Sequence, residues 1–319
     1  MSKIVKLENF RIDGFRNLLE QNLMVNNQLM MEFTPDMIKS CSFSASETMM
    51  KLWSAPLVNF IKKEKEEKDK VLNLDDLDKV IDEEPKFDFE RFNFYVLKGD
   101  YFKKFLSVFH GKTADVEICV NEDEHQASKI VIKGTTVNES YIEASFILTT
   151  EEMITNKVEN YDKAISGLTP KEGMSEFMLT EKSIQEVKKL VKDLHKSIPD
   201  NTGYLLFEID ADNQVLTISD KVFKLKYDIS LEEGSESVSK VNENISFKIL
   251  KSDFIVVGGH TFLFNVSNDD KENVIMRTNY SKSMIGCLIS KITNEVDEEQ
   301  TDIIDSTIDA IDIDEYFND

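Results

Sequence analysis

Apolar positions along this chain recur with two different periods, and the order in which the two periods alternate carries most of the information. Phe10, Phe15, Leu18 and Leu19 fall at helical spacing within 8–19, while short runs at 23–25, 29–33, 38–43 and 49–53 have the length and composition of strands. Asn26-Asn27 and Thr34-Pro35-Asp36 separate those runs as turns do. The order then starts again. A strand at 92–97 leads to Asp100, which can cap a helix carrying Phe102, Phe105, Leu106 and Phe109 and stopping at Gly111. Strands follow at 116–120, 129–132 and 141–148, with turns at 121–125 and 134–138.

A third cycle opens with a strand at 176–179, and Thr180 can cap a helix running to about Ile198, where Pro199-Asp200 ends it. Its apolar side is Ile184, Val187, Val191, Leu194 and Ile198, the progression of a helix packed on a sheet. Strands are expected at 204–209, 215–218 and 222–229. The last cycle reads as a strand at 245–250, a short helix at 251–257, the Gly258-Gly259 turn, and strands at 261–266, 274–278 and 284–292. The sum is four strand-helix-strand units in two pairs, an α+β chain with one domain at 1–148 and a second at 176–292. A connector at 149–175 lies between them.

Two segments break this rhythm. Residues 62–91 hold twelve acidic and eight basic residues around a weak apolar spacing, and are expected as a charged surface insertion in the first domain. Residues 293–319 contain no Lys or Arg but eleven Asp and Glu, which is half of the net charge of −22. That composition predicts a disordered acidic tail. Ile311, Ile313, Tyr316 and Phe317 near its end suit a tether for a partner protein; the plain alternative is a solubilising end.

The length of 319 residues suits two domains, and no apolar run approaches the 18 residues of a membrane span. The first residues lack a basic-then-apolar signal, so a cytoplasmic location is expected. Cys41, Cys119 and Cys287 are few, far apart and in strand-like runs, as buried reduced thiols are. Chemistry is nearly absent from the pattern: there is no glycine-rich phosphate loop, no zinc-protease helix and no nucleophile elbow. The four histidines share no ligand spacing. Asp210-x-Asp212-x-Gln214 is only a faint calcium-loop echo, because Val215 stands where a sharp turn needs Gly and Lys221 where Glu should close the site, so it reads as a hairpin turn. No enzyme activity, metal or cofactor is expected.

The order of elements and the texture of several stretches resemble the sliding clamps of DNA replication, above all the two-domain trimeric clamps of T-even-type phages. The stretches that carry it are Phe94-Tyr95-Val96-Leu97 before a short basic helix, Phe177-Met178-Leu179-Thr180 before a long one, and Phe247 to Phe254 followed by Gly258-Gly259. The resemblance spans about residues 3–292 but lacks a diagnostic motif, and the insertion and the tail depart from it. It implies two clamp domains, each a pair of strand-helix-strand units with antiparallel sheets outside and helices lining a ring. It further implies a homotrimer that encircles double-stranded DNA without reading sequence, and partners that include a DNA polymerase and a clamp loader.

The charges on the expected helices agree with such a lining, which must touch phosphates rather than bases. Lys189, Lys192 and Lys196 follow one another at spacings of three and four, away from the apolar stripe, with Lys182 and Lys188 flanking. Lys98, Lys103 and Lys104 belong to the second helix, Arg11 and Arg16 to the first, and Lys251 to the short fourth. One such row alone is commonly no more than a solvated helix face. A rival reading is a single-stranded DNA-binding protein with an acidic recruiting tail, which would need exposed aromatic platforms. The phenylalanines here alternate as core positions instead, for example Phe105 with Phe109 and Phe262 with Phe264. A third reading, a virion or scaffold protein, would predict no dependence on DNA topology.

Overall fold

The structure is a computed structural model and describes residues 2–62, 87–109, 113–136, 138–155, 157–158, 160–195, 203–229, 241, 243–278 and 283–292. The acidic tail and most of the charged insertion lie outside the described residues. Among the described residues the chain runs four times through one order, a strand, a helix and three strands. The first unit is β1 (Ser2–Arg11), α1 (Ile12–Leu23), β2 (Leu29–Phe33), β3 (Met37–Phe43) and β4 (Met49–Pro56). The second is β5 (Phe92–Val96), α2 (Gly99–Ser107), β6 (Thr113–Asn121), β7 (Gln126–Thr135) and β8 (Tyr141–Ile147). After α3 (Tyr161–Gly167) comes the third, β9 (Ser175–Leu179), α4 (Glu181–His195), β10 (Tyr204–Asp210), β11 (Val215–Ser219) and β12 (Lys224–Asp228). The fourth is β13 (Ile245–Leu250), α5 (Lys251–Ile255), β14 (Phe262–Val266), β15 (Val274–Arg277) and β16 (Met284–Ile289).

The strand that opens each unit pairs with the sheet of its partner unit. In the first pair of units, β1 runs antiparallel to β6, from Ser2 opposite Asn121 to Arg11 opposite Thr113, and β5 runs antiparallel to β2. In the second pair, β9 lies on β14 and β13 on β10. A unit therefore cannot complete its own sheet, which ties two units into one folding body. A single parallel bridge between Asn93 and Gln126 joins the two sheets of the first pair.

Described residues within 1–45, 50–166 and 280–286 form one compact group, and those within 46–49, 167–279 and 287–292 form another. The first is centred on Phe15 of α1, whose ring lies 5.4 Å from Phe10, 6.1 Å from Phe33, 6.3 Å from Phe60 and 6.4 Å from Phe102. In the second, Phe207 of β10 lies 4.9 Å from Phe247, 5.9 Å from Phe254 and 6.5 Å from Phe264. The transposed strands thus bring core side chains as well as hydrogen bonds. All of these phenylalanines are buried.

Three local expectations need correction. The helix expected over 8–19 begins only at Ile12, because β1 continues through a bulge. Val5 and Leu7 are buried by alternation; Asn9 then adopts φ 53°, donates its N–H to Asp115 Oδ1 at 3.1 Å, and shifts the phase so that Phe10 also faces inward. The run at 23–25 is no strand: Leu23 ends α1, and the N–H groups of Val25 and Asn26 both donate to the Asn22 carbonyl. Asp100 does not cap α2; Asn27 does so, accepting the Gly99 N–H on its carbonyl at 2.6 Å and the Asp100 N–H on its side chain at 2.9 Å. A Cβ on Gly99 would press on Leu23 Cδ2 and come within 2.9 Å of the Asn27 backbone oxygen, so glycine suits the start of α2 this close to the end of α1. The segment expected as a connector contains α3 and a 3₁₀ turn at Glu151–Met153.

Phe15→Ala should lower the unfolding free energy by about 3–5 kcal/mol, as expected for removing a core ring that its neighbours cannot replace. Equilibrium urea denaturation checks this, and a loss below about 1 kcal/mol would contradict the assignment of Phe15 to the centre of the core.

Candidate nucleic-acid interface

Each compact group packs two of the long-unit helices together, α1 with α2 and α4 with α5, so basic side chains on helices come in paired surfaces. Helix α4 starts where the sequence places it, with Thr180 Oγ1 accepting the Ser183 N–H at 3.2 Å and the Thr180 carbonyl accepting the Ile184 N–H at 3.0 Å. Ile184, Val187 and Val191 are buried. Lys182 and Lys189, seven residues apart on one side, are exposed, and Lys192 beside them is half-buried. Glu186 and Asp193 occupy the next strip around the helix, and Glu186 accepts the Tyr227 hydroxyl of β12 at 3.1 Å. The exposed face of α4 is therefore a lysine edge beside an acidic edge.

Lys188 corrects the expected lining. It is 9% exposed, since it follows Ile184 by four and precedes Val191 by three residues, on the apolar side of the helix. Lys196 lies outside the described residues. Lys251 is corrected more decisively: α5 is so short that its first residue points inward, and Lys251 Nζ lies 2.7 Å from Asp220 Oδ2 with both side chains fully buried. Asp220 also accepts the N–H groups of Val222 at 2.6 Å and Phe223 at 2.9 Å, so Lys251 ties α5 to the turn between β11 and β12.

In the first group, Lys98 and Lys104 are exposed, and the Lys98 ammonium lies 5.3 Å from the centre of the Tyr101 ring, itself 58% exposed. Lys103 reaches across to Glu20 of α1 at 3.2 Å. Arg16, one turn before Glu20, is half-buried, so α1 and α2 present Arg16, Glu20 and Lys103 on one continuous surface. Arg11 is the last residue of β1 and not a helical one, and is half-buried. Tyr101 escaped the sequence reading, which singled out Asp100, the lysines and the apolar Phe102, Phe105, Leu106 and Phe109 of this helix. Ile311, Ile313, Tyr316 and Phe317 lie outside the described residues.

Two edge strands carry incompletely covered rows. Among the described residues β8 pairs with β7 only and β12 with β11 only. On β8, Tyr141 and Ile147 are 71% and 79% exposed, Glu143 and Ser145 are exposed, and Ile142, Ala144 and Phe146 are half-buried. On β12, Lys224, Lys226 and Asp228 are exposed while Leu225 and Tyr227 are half-buried. Such edges invite a further strand. No group of three His, Cys, Asp or Glu placed to hold a metal occurs among the described residues, and Asp210 serves the β10–β11 turn by accepting from Asn213 N–H and Nδ2 at 3.0 and 2.7 Å. No helix among them is long and apolar enough to cross a membrane.

The crystal structure of proliferating cellular nuclear antigen from Entamoeba histolytica matches this chain with a TM-score of 0.58, covering 91% of this chain and 98% of that one at 8% sequence identity. No family model and no curated protein matches. The four units in two strand-swapped pairs are the clamp fold that the sequence resemblance implied.

Lys251→Ala should lower unfolding stability by about 3–5 kcal/mol, since it leaves the Asp220 carboxylate buried without its cation, whereas Lys189→Glu should change stability by less than about 0.5 kcal/mol. Paired denaturation curves decide this; equal effects would contradict the separation of a structural from a surface lysine.

Proposed function

We propose that this protein is a DNA polymerase processivity factor, a non-enzymatic ring that encircles duplex DNA and holds a polymerase to it. The observation that carries the reading is the repeated unit with transposed leading strands, matched over 91% of this chain by the nuclear antigen structure. Following the resemblance to two-domain phage clamps, three copies close the ring. Residues 1–148 and 176–292 serve as its two clamp domains, a clamp loader opens it, and it works in the cytoplasm of a host cell.

Closure comes from the two edges. Antiparallel addition of β12 from one copy to β8 of the next would set Ile142, Ala144 and Phe146 beside Leu225 and Tyr227 on one side. On the other side it would set Glu143 beside Lys224 and Lys226. The contact joins two different surfaces, and such head-to-tail contacts form rings when the rotation closes.

Arg11, Arg16, Lys98, Lys103, Lys104, Lys182, Lys189, Lys192 and Lys196 then face DNA. Mixed with Glu20, Glu186 and Asp193, they make a lining that meets phosphates weakly and slides. The net charge of −22 repels DNA at long range, but screening confines that repulsion to roughly 8–10 Å at physiological salt, so a local basic strip governs the pore. Encirclement takes the place of affinity, and the bound polymerase gains a high effective concentration at the template. The Ile311, Ile313, Tyr316 and Phe317 peptide recruits a replication partner. Against single-strand binding speaks the inward placement of the phenylalanines: none is among the large apolar side chains exposed on the described surface, where the exposed aromatic rings are Tyr101 and Tyr141, on a helix and an edge strand apart from one another in the sequence.

Native mass spectrometry should give three chains for the wild type. Ile147→Asp, at a position 79% exposed and hence harmless to the monomer fold, should give monomers. Glu143→Lys and Lys226→Glu should each weaken assembly several-fold and restore it when combined in one chain. A wild-type monomer at all concentrations sinks the ring. Independently, the Lys182→Glu/Lys189→Glu/Lys192→Glu variant should keep its oligomer mass while dissociating faster from closed circular DNA; unchanged retention rules out the lysine edge as the lining.

A further inference from the structure

Helix α3 of the connector sits on the first group through one buried side chain. Helix α3 starts on Asn160, whose Oδ1 accepts the Lys163 N–H at 3.0 Å, and only Tyr161 among its residues is buried. That ring enters a pocket made by Met30 of β2, Cys41 of β3, Tyr95 of β5 and Ile154, with Phe43, Met50 and Val158 at the margin. The next residue, Asp162, is 70% exposed and reaches Lys39 Nζ of β3 at 2.7 Å. Lys39 also holds Glu32 of β2 at 3.0 Å.

We propose that α3 is a latch, seated by Tyr161 and locked by the Asp162–Lys39 ion pair, that lifts from the Met30–Cys41–Tyr95 pocket while the sheet beneath stays folded. Three features fit a contact meant to open. First, a seven-residue helix with one buried anchor belongs to the least stable parts of a fold. Second, the Tyr161 hydroxyl is buried without a hydrogen-bond partner, a burden on the closed setting that a phenylalanine would avoid. Burial correspondingly pushes this hydroxyl well above the ordinary phenol range. Third, when Asp162 leaves, Lys39 keeps Glu32, so no buried cation is stranded. Burial opposes the charge on Lys39, but the hydrogen bonds from Lys39 to Asp162 and Glu32 outweigh it and hold its pKa above the ordinary value.

The lock is therefore electrostatic and, on the Asp162 side, open to screening by salt. Lifting α3 uncovers an apolar pocket bordered by Lys39 and Glu32, and access to that pocket is set by the latch. This inference stands on the first group alone and does not depend on ring formation.

Cys41 reports the setting directly, because its thiol is fully buried in the cluster that Tyr161 covers. Peptide-resolved alkylation of the full chain would follow Cys41, with buried Cys287 as the reference for unfolding of the second group and amide hydrogen exchange of β2 and β3, expected unchanged, as the reference for the first. Tyr161→Phe should slow Cys41 labelling about fivefold or more. Asp162→Asn, and salt raised to about 0.5 M in the wild type, should speed it up to about fivefold, and Tyr161→Ala should speed it further. Cys287 should keep its rate in all of them. The latch is overturned if Tyr161→Phe labels Cys41 as fast as wild type, or if Cys287 accelerates in step with Cys41 in Asp162→Asn.

Discussion

Everything in this architecture depends on the transposition of one strand per unit. The strands β1, β5, β9 and β13 each complete the sheet of the neighbouring unit, so neither unit of a pair closes its own sheet. The exchange also fixes where the helices go. Each helix follows a strand given to the partner unit's sheet, which carries it beside the partner unit's helix. Accordingly α1 packs on α2 and α4 on α5, with Phe15 and Phe102 meeting edge to face in the first pair. Sheet hydrogen bonding, the aromatic core and the pairing of helices are in this sense one constraint.

That constraint explains why the charge pattern takes the form it does. Paired helices spend one face on each core and leave a narrow outer strip, and the lysines of α4 occupy it at 182 and 189 because Ile184, Val187 and Val191 own the other side. Where a helix is too short to have two faces, the rule fails: α5 has five residues, and Lys251 is drawn inside to meet Asp220. The lining proposed for the ring is consequently sparse and interrupted by acids. Such a surface suits sliding better than gripping, since each phosphate contact stays weak.

The periodicity of the chain made most of the fold legible before any coordinates. The runs at 29–33 and 245–250 are strands with those very bounds, and the third-cycle helix starts at the Thr180 cap. What escaped has physical causes. A bulge at Asn9 changes the phase of the apolar pattern, so a strand ending in Phe10-Arg11 imitated the start of a helix. The capping of α2 comes from Asn27, seventy-three residues away in sequence, where local pattern cannot see it. Tyr161 is a lone aromatic in a polar stretch, and its burial is decided by β2, β3 and β5. The candidate site was legible as exposed lysines on α2 and α4; that Lys188 and Lys251 turn inward depended on packing and chain length.

The central claim is that this protein stays on DNA by surrounding it. The most direct measurement is to load it on nicked circular DNA, isolate the complex by gel filtration, and cut the circle once with a restriction enzyme. The account predicts a stable complex on the circle that dissociates as soon as free ends exist. Persistence on the linear product, or no difference between the two forms, would contradict it.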